Sequence, residues 1–184
     1  MKKISFILVV LCCPVMVICQ DITGLWAGTI KNDSTGLTHS YEIGIRKIKG
    51  KYTGFTHTWF SIGDKRYYGL KKVHVRIAND GKVIVVDDEL IANNYPVSPN
   101  KNVRQLNVLS LSGSEENPTL SGPFVTNRTK EFLPLSGEIT LVRRKDVAQS
   151  DLVVYLQKAG FATNDWSFMQ AGTEPVLARS GNEK

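Results

Sequence analysis

Between Ile22 and Arg144 the chain repeats one pattern eight times: a short stretch rich in β-branched and aromatic residues, then a cluster of turn formers. In HSYEIGIRKIK, Tyr41, Ile43 and Ile45 share one face. In RYYGLKKVHVRI, Val73, Val75 and Ile77 alternate with Lys72, His74 and Arg76. Period-two alternation of this kind makes a strand with one face buried and the other wet. The breaks fall at NDSTG (32–36), GK (50–51), SIGDK (61–65), NDG (79–81), a Pro/Asn-rich stretch (92–102), GSEENP and RTKEF. NDG is the strongest hairpin signal, since all three residues tolerate the positive φ of a two-residue turn. No segment between Gln20 and Lys145 has helical periodicity. Evenly spaced strands with mostly short connections predict an all-β fold: a single eight-stranded antiparallel up-and-down barrel, with a sandwich as the alternative closure.

Four of the segments carry an internal glycine after Thr or Ser: TGLW (Gly24), TGF (Gly54), SGPF (Gly122) and SGEI (Gly137). Glycine weakens a flat strand but lets it coil sharply or approach another backbone. Repeated, it is a device for closing a small barrel, whereas in a sandwich the same glycines would mark bulges. On the first segment Trp26 shares a face with Ile22, Gly24, Gly28 and Ile30; on the last, Ile139, Leu141 and Arg143 share one. If the last strand pairs with the first, the Arg143 guanidinium lies over the Trp26 indole. These two residues are therefore the expected structural closure of one barrel end, the indole N–H finding a partner inside.

Gly24-x-Trp26 on the first strand and a basic residue, Arg143, on the last resemble the calycin group: lipocalins, fatty-acid-binding proteins and avidin-like barrels. The likeness spans Gln20 to about Lys145, and the overall look is similar to the lipocalin-like domains secreted by Bacteroidota-type bacteria. The chain departs from true lipocalins in lacking the large loop after the first strand, the disulfides and the Thr-Asp-Tyr motif. The resemblance implies a barrel and a ligand cavity, without naming a ligand.

Outside the barrel, residues 1–19 have the layout of a secretory leader. Lys2 and Lys3 precede the apolar run ISFILVVLCCPVMVIC, which is short for a membrane span and is broken by Pro14. Cleavage is expected between Cys19 and Gln20, giving a secreted or periplasmic protein with no transmembrane segment in the mature chain. Lipidation of Cys19 is the rival reading. All three cysteines lie in this leader, so the mature chain has no thiol chemistry, cysteine metal site or disulfide to invoke. Beyond the barrel (20–145), SDLVVYLQKAG (150–160) reads as a short helix. Ser150 caps it, Gly160 ends it, and Leu152, Tyr155, Leu156 and Ala159 lie on one face. With Phe161, Trp166 and Phe168, residues 146–169 are expected to dock on the barrel, leaving 170–184 as a polar tail.

The net charge of +6 falls to +4 once Lys2 and Lys3 are set aside. That excess is scattered, and KKV (71–73) and RRKD (143–146) are too short for a nucleic-acid footprint, so no nucleic-acid partner is expected. His39, His57 and His74 have no metal-ligand spacing, and neither a metal nor a cofactor is expected. Asn32-Asp33-Ser34 and Asn127-Arg128-Thr129 match the N-glycosylation pattern, relevant only in a eukaryotic secretory pathway. In VVDDEL (85–90) Asp87 and Glu89 should share a face, opposite Asp88, and could bring a carboxylate into the interior. A glycosidase-like hydrolase would need a second carboxylate nearby, which the sequence does not place.

Aromatic residues crowd GFTHTWFSIGDKRYYG (54–69). Read as a cavity mouth, this hairpin makes Phe55, His57, Trp59 and Tyr67, together with Tyr41, the candidate ligand-binding residues; read structurally, it is a packed barrel wall. The expectation is an exported, non-enzymatic barrel that binds a small apolar or amphipathic molecule. The alternatives are an envelope or secreted scaffold with a filled barrel and a hydrolase using the Asp87–Glu89 region.

Overall fold

The computed structural model describes residues 21–98 and 102–161 of the 184-residue chain. The leader, its cleavage site and the aromatic pair Trp166 and Phe168 lie outside the described residues. Eight strands run in order: β1 (Gly24–Asn32), β2 (Thr38–Ile48), β3 (Lys51–Ile62), β4 (Lys65–Ile77), β5 (Val83–Asn93), β6 (Gln105–Gly113), β7 (Pro118–Thr126) and β8 (Ser136–Arg144). Each pairs antiparallel with the next, and β1 also pairs with β8 from Leu25↔Arg144 to Asn32↔Gly137. The sheet thus closes into an up-and-down barrel. A single helix, α1 (Asp151–Lys158), comes after β8.

The glycines show how so small a barrel closes. A Cβ on Gly54 would run into the Gly44 carbonyl oxygen, on Gly122 into that of Val108 and on Gly137 into that of Lys31. Each lets its strand press on the neighbouring backbone. Gly24 differs in having no backbone in the way: its virtual Cβ meets only the Arg143 side chain at ordinary contact distance, so its φ of +126° makes its role conformational, whereas Gly122, at φ +152°, serves both ways.

The inward faces form one apolar core: Ile22, Trp26 and Ile30 from the first strand region, Tyr41, Ile43 and Ile45, Val73 and Val75, Val83 and Val85, Leu109, Leu120, Phe124, Ile139 and Leu141. Two turns differ from the expectation raised by the sequence. The β2–β3 reversal uses Lys49 and Gly50, not Gly50 and Lys51, since Ile48 pairs with Lys51 and both turn residues have positive φ. That is the two-residue turn whose twist matches the flanking strands. At NDG the loop has three residues. Ala78 N–H donates to the Lys82 carbonyl and Gly81 N–H to that of Ala78, and only Gly81 has positive φ. A tight turn ending in a left-handed glycine lets Asn79 and Asp80 keep ordinary backbone angles.

A second apolar cluster lies outside the barrel wall. Leu25, Phe55 and Leu70 point outward and meet Val147, Leu152, Val153 and Leu156. α1 therefore docks across β2, β3 and β4. Ser150 caps it by accepting from the Val153 N–H (3.2 Å), and Gly160, with φ +76°, lies just past its end. The buried helix face is Leu152, Val153 and Leu156, with Tyr155 partly covered; Ala159, expected on that face, is the exposed C-cap.

Candidate functional site

In an up-and-down barrel the connections alternate between ends. The β1–β2, β3–β4, β5–β6 and β7–β8 connections therefore gather at one end, which we term the mouth. The opposite end is the floor. At the floor Trp26 is fully buried and donates its indole N–H to the Ile22 carbonyl (3.0 Å). Arg143, directly across from it on β8, holds its guanidinium carbon 4.8 Å from the ring centre and donates to the Asp21 carbonyl.

At the mouth the interior changes character. The Tyr41 hydroxyl oxygen accepts from Asn107 Nδ2 (3.1 Å) and Gln105 Nε2 (3.4 Å), and Gln105 Nε2 also donates to Asn107 Oδ1 (2.8 Å). Asp87 Oδ2 accepts from the Lys71 ammonium (2.5 Å) and from the Gln105 backbone N–H (3.1 Å). Thr56 and Asn107 are buried, as is Asp87. Burial, then the Asp87 charge, pushes the Tyr41 phenol far above its ordinary value of 10. The same two causes raise Tyr95 to about 12. Both phenols stay neutral in any ordinary buffer, and an ion pair compensates the Asp87 charge. The arrangement offers donors and acceptors without a free charge.

Two local features build this cluster. The first is a pair of bulges in β5. Val73 faces Asp87 and Lys72 faces Glu89, so Asp88 is the extra residue; Ile91 is the extra residue one turn on. A bulge reverses the facing of the strand residues after it. Asp87 and Glu89 therefore lie on opposite faces, contrary to the expectation from alternation. Asp87 points inward with Lys71; Glu89 is exposed, and Asp88 pairs outside with His74 (3.4 Å) and Lys72 (3.6 Å). The second feature is that β5 and β6 pair only from Val83↔Leu109 to Val86↔Leu106. Beyond that they part beside Asp87 and Gln105. The Asn127 side chain clasps the connection that spans the gap, accepting from Arg104 N–H (2.6 Å) and donating to the Asn102 carbonyl (2.9 Å).

The residues expected to line one mouth are divided between two sites. Tyr41 is inside. Tyr67 is at the rim, stacked on Phe60 (5.7 Å), which also meets Tyr95 (5.5 Å). Phe55, His57 and Trp59 sit on the outer wall beneath α1, so the hairpin 54–69 does not form a single mouth. Adjacent strand residues face opposite ways, and Thr56 takes the inward position. On that outer wall His57 stacks on Tyr155 (5.2 Å), while Trp59 donates its indole N–H to Asp151 (2.6 Å) and carries Arg66 on its face (4.2 Å). Glu42 accepts from the Leu152 N–H (2.7 Å), so side chains from β2 and β3 hold the start of the helix. His57 is almost fully buried, and its Nε2 has no hydrogen-bond partner; burial, chiefly, depresses its pKa to about 4.

Sequence pattern did not single out Lys71, Tyr95, Gln105 or Asn107. Three of them carried a usable signal: Lys71 is two residues before Val73, and Gln105 and Asn107 alternate with Leu109. Tyr95 comes from a connection, where no periodicity indicates direction. Among the described residues no group of three or more His, Cys, Asp or Glu side chains is placed to hold a metal ion, and no helix is long and apolar enough to cross a membrane. Comparison with protein-family models, with curated proteins and with solved structures finds no match to the chain.

Proposed function

We propose that this is an exported small-molecule-binding barrel whose ligand enters at the mouth. The ligand's polar group meets the Tyr41–Asn107–Gln105 and Asp87–Lys71 groups, and its apolar part lies against Phe60, Tyr67 and Tyr95. One observation carries the reading: a hydrogen-bonded polar cluster is confined to one end of an otherwise apolar barrel interior, where two strands part. Polar groups buried in a core cost stability relative to apolar ones that fill the same space, so a merely structural interior has little use for them. The need to satisfy both regions favours an amphipathic ligand over a purely apolar one. The apolar run at 1–19 supports export.

A filled-barrel scaffold is the second reading, supported by the fully buried side chains of the floor half, among them Trp26, Ile43, Leu109, Leu120 and Leu141. Native mass spectrometry of protein recovered after export separates the two. A ligand-binding barrel should retain a small-molecule adduct. Tyr41→Phe combined with Asn107→Leu should lose that adduct while staying folded. An adduct-free wild type that is also unmoved in melting temperature by every member of an amphipathic ligand panel would favour the scaffold.

A further inference from the structure

The mouth is also the end where most of the exposed large apolar side chains among the described residues lie. Leu37 in the β1–β2 connection is 54 % exposed and Ile62 beside the β3–β4 turn 57 %. Val97 between β5 and β6 is 72 % exposed, and Phe132 and Leu133 between β7 and β8 are 49 % and 71 %. Three of the four connections at this end therefore carry at least one, and the fourth is flanked by Ile62 at the end of β3. The floor connections are Lys49-Gly50, Asn79-Asp80-Gly81 and Ser114-Glu115-Glu116-Asn117, with no large apolar residue among them. Exposed apolar side chains placed at random would not gather at one end in this way, and such a gathering marks that end as a surface for contact.

We infer that the mouth docks on an anionic lipid bilayer, with the four connections inserting shallowly around the barrel rim. Three observations choose this occupant over a folded partner. The apolar side chains stand on separate tips around a polar-lined opening, not on one continuous face, so they suit a deformable apolar phase. Basic side chains flank two of these tips: Lys65 beside Ile62, and Arg128 and Lys130 beside Phe132 and Leu133, all three exposed and outnumbering the acidic Asp64 and Glu131 of the same tips, while Arg66 is held on the Trp59 ring. This is the pairing by which interfacial segments bind, apolar groups entering the headgroup boundary while lysines and arginines meet anionic lipid. Finally, the tip around Lys130 is a well-formed turn, with Phe132 N–H donating to Thr129 Oγ1 and Thr129 N–H to the Phe132 carbonyl, so its apolar residues are presented on an ordered loop.

The inference stands apart from the interior site, and its test does not depend on a ligand. Protein recovered after export is floated with phosphatidylcholine vesicles containing about 30 % phosphatidylglycerol, or none. The wild type should float with the anionic vesicles and release at high salt. Ile62→Ser combined with Phe132→Ser and Leu133→Ser should cut the bound fraction roughly tenfold with little change in melting temperature, because the three side chains are already about half or more in water. Val142→Ser combined with Val154→Ser, which removes partly exposed apolar groups from the wall and the helix, should leave binding intact. Wild type that stays unbound, or a triple variant that binds as well as wild type, overturns the inference. So does a wild type that self-associates through these tips, shown by a dimer mass that the triple variant loses.

Discussion

Trp26 and His57 show how differently two buried rings can be served. The indole has a backbone acceptor and a guanidinium above it. Trp26→Ala should cost about 3–5 kcal/mol, the usual loss on deleting a large buried aromatic. Arg143→Ala should cost less, and urea unfolding of both single variants and the double should show coupling, with the double less harmed than the sum. His57 has no partner at Nε2, and burial holds its pKa near 4 against an ordinary 6.5. The unfolded chain therefore binds the proton first as pH falls. The stability tied to neutral His57 is complete above about pH 6.5 and is lost as pH drops through the folded value near 4, roughly 3 kcal/mol in all. Glu42, raised by burial, works in the opposite sense just above its ordinary 4.5, since its neutral form is favoured in the fold. Denaturant midpoints from pH 7 to pH 4 should fall in the wild type and fall much less in His57→Phe. Equal slopes would place the acid sensitivity elsewhere.

Two elements carry stability that can be tested separately. The β2–β3 turn places Lys49 at φ +48°, a left-handed backbone that a lysine adopts at a cost and an asparagine more readily. Lys49→Asn should raise stability by about 0.5 kcal/mol with no change elsewhere, read as a shift in urea midpoint at constant slope. α1 is too short to persist alone, so its docking on Leu25, Phe55 and Leu70 is what keeps it helical. Leu156→Ala, at a fully buried position, should cost about 2–5 kcal/mol. Truncation after Lys145 should lower the melting temperature and bring His57 and Trp59 into water, visible as a red shift in tryptophan emission. An unchanged spectrum would mean that the outer wall stays covered without the helix.

Over the whole molecule the weakest seam is β5–β6, with four residue pairs where most neighbouring strands share seven or more. Local opening starts where few backbone bonds must break. Amide exchange should therefore be fastest, among strand residues, in the parts of β5 beyond Val86, and slowest in β1 and β2. Uniform protection around the barrel would mean that the seam is held by side chains instead of backbone bonds. Because this seam lies beside the polar cluster, a ligand in the mouth should slow exchange there first.

The number of strands, their antiparallel succession and the helix after them were readable in the residues alone, whereas closure as a barrel instead of a sandwich rests on the pairing of β1 with β8. So were the inward faces of β2 and β4, because alternation of apolar and polar side chains marks a half-buried strand without reference to its neighbours. The glycines after Thr or Ser signalled tight curvature for the same local reason. Alternation does not, however, make the more aromatic face of a strand the inner one when a later element covers that face from outside. In β3 Phe55, His57 and Trp59 look like a lining, yet Thr56 faces the interior, because α1 arrives from about ninety residues along the chain to cover the other side. Nor does it survive a bulge: the extra residue at Asp88 turns Glu89 outward while Asp87 stays within reach of Lys71, and only the register against β4 reveals it. Local pattern therefore determined the eight strands and favoured a barrel, whereas long-range pairing closed it and long-range packing decided which polar groups meet inside it.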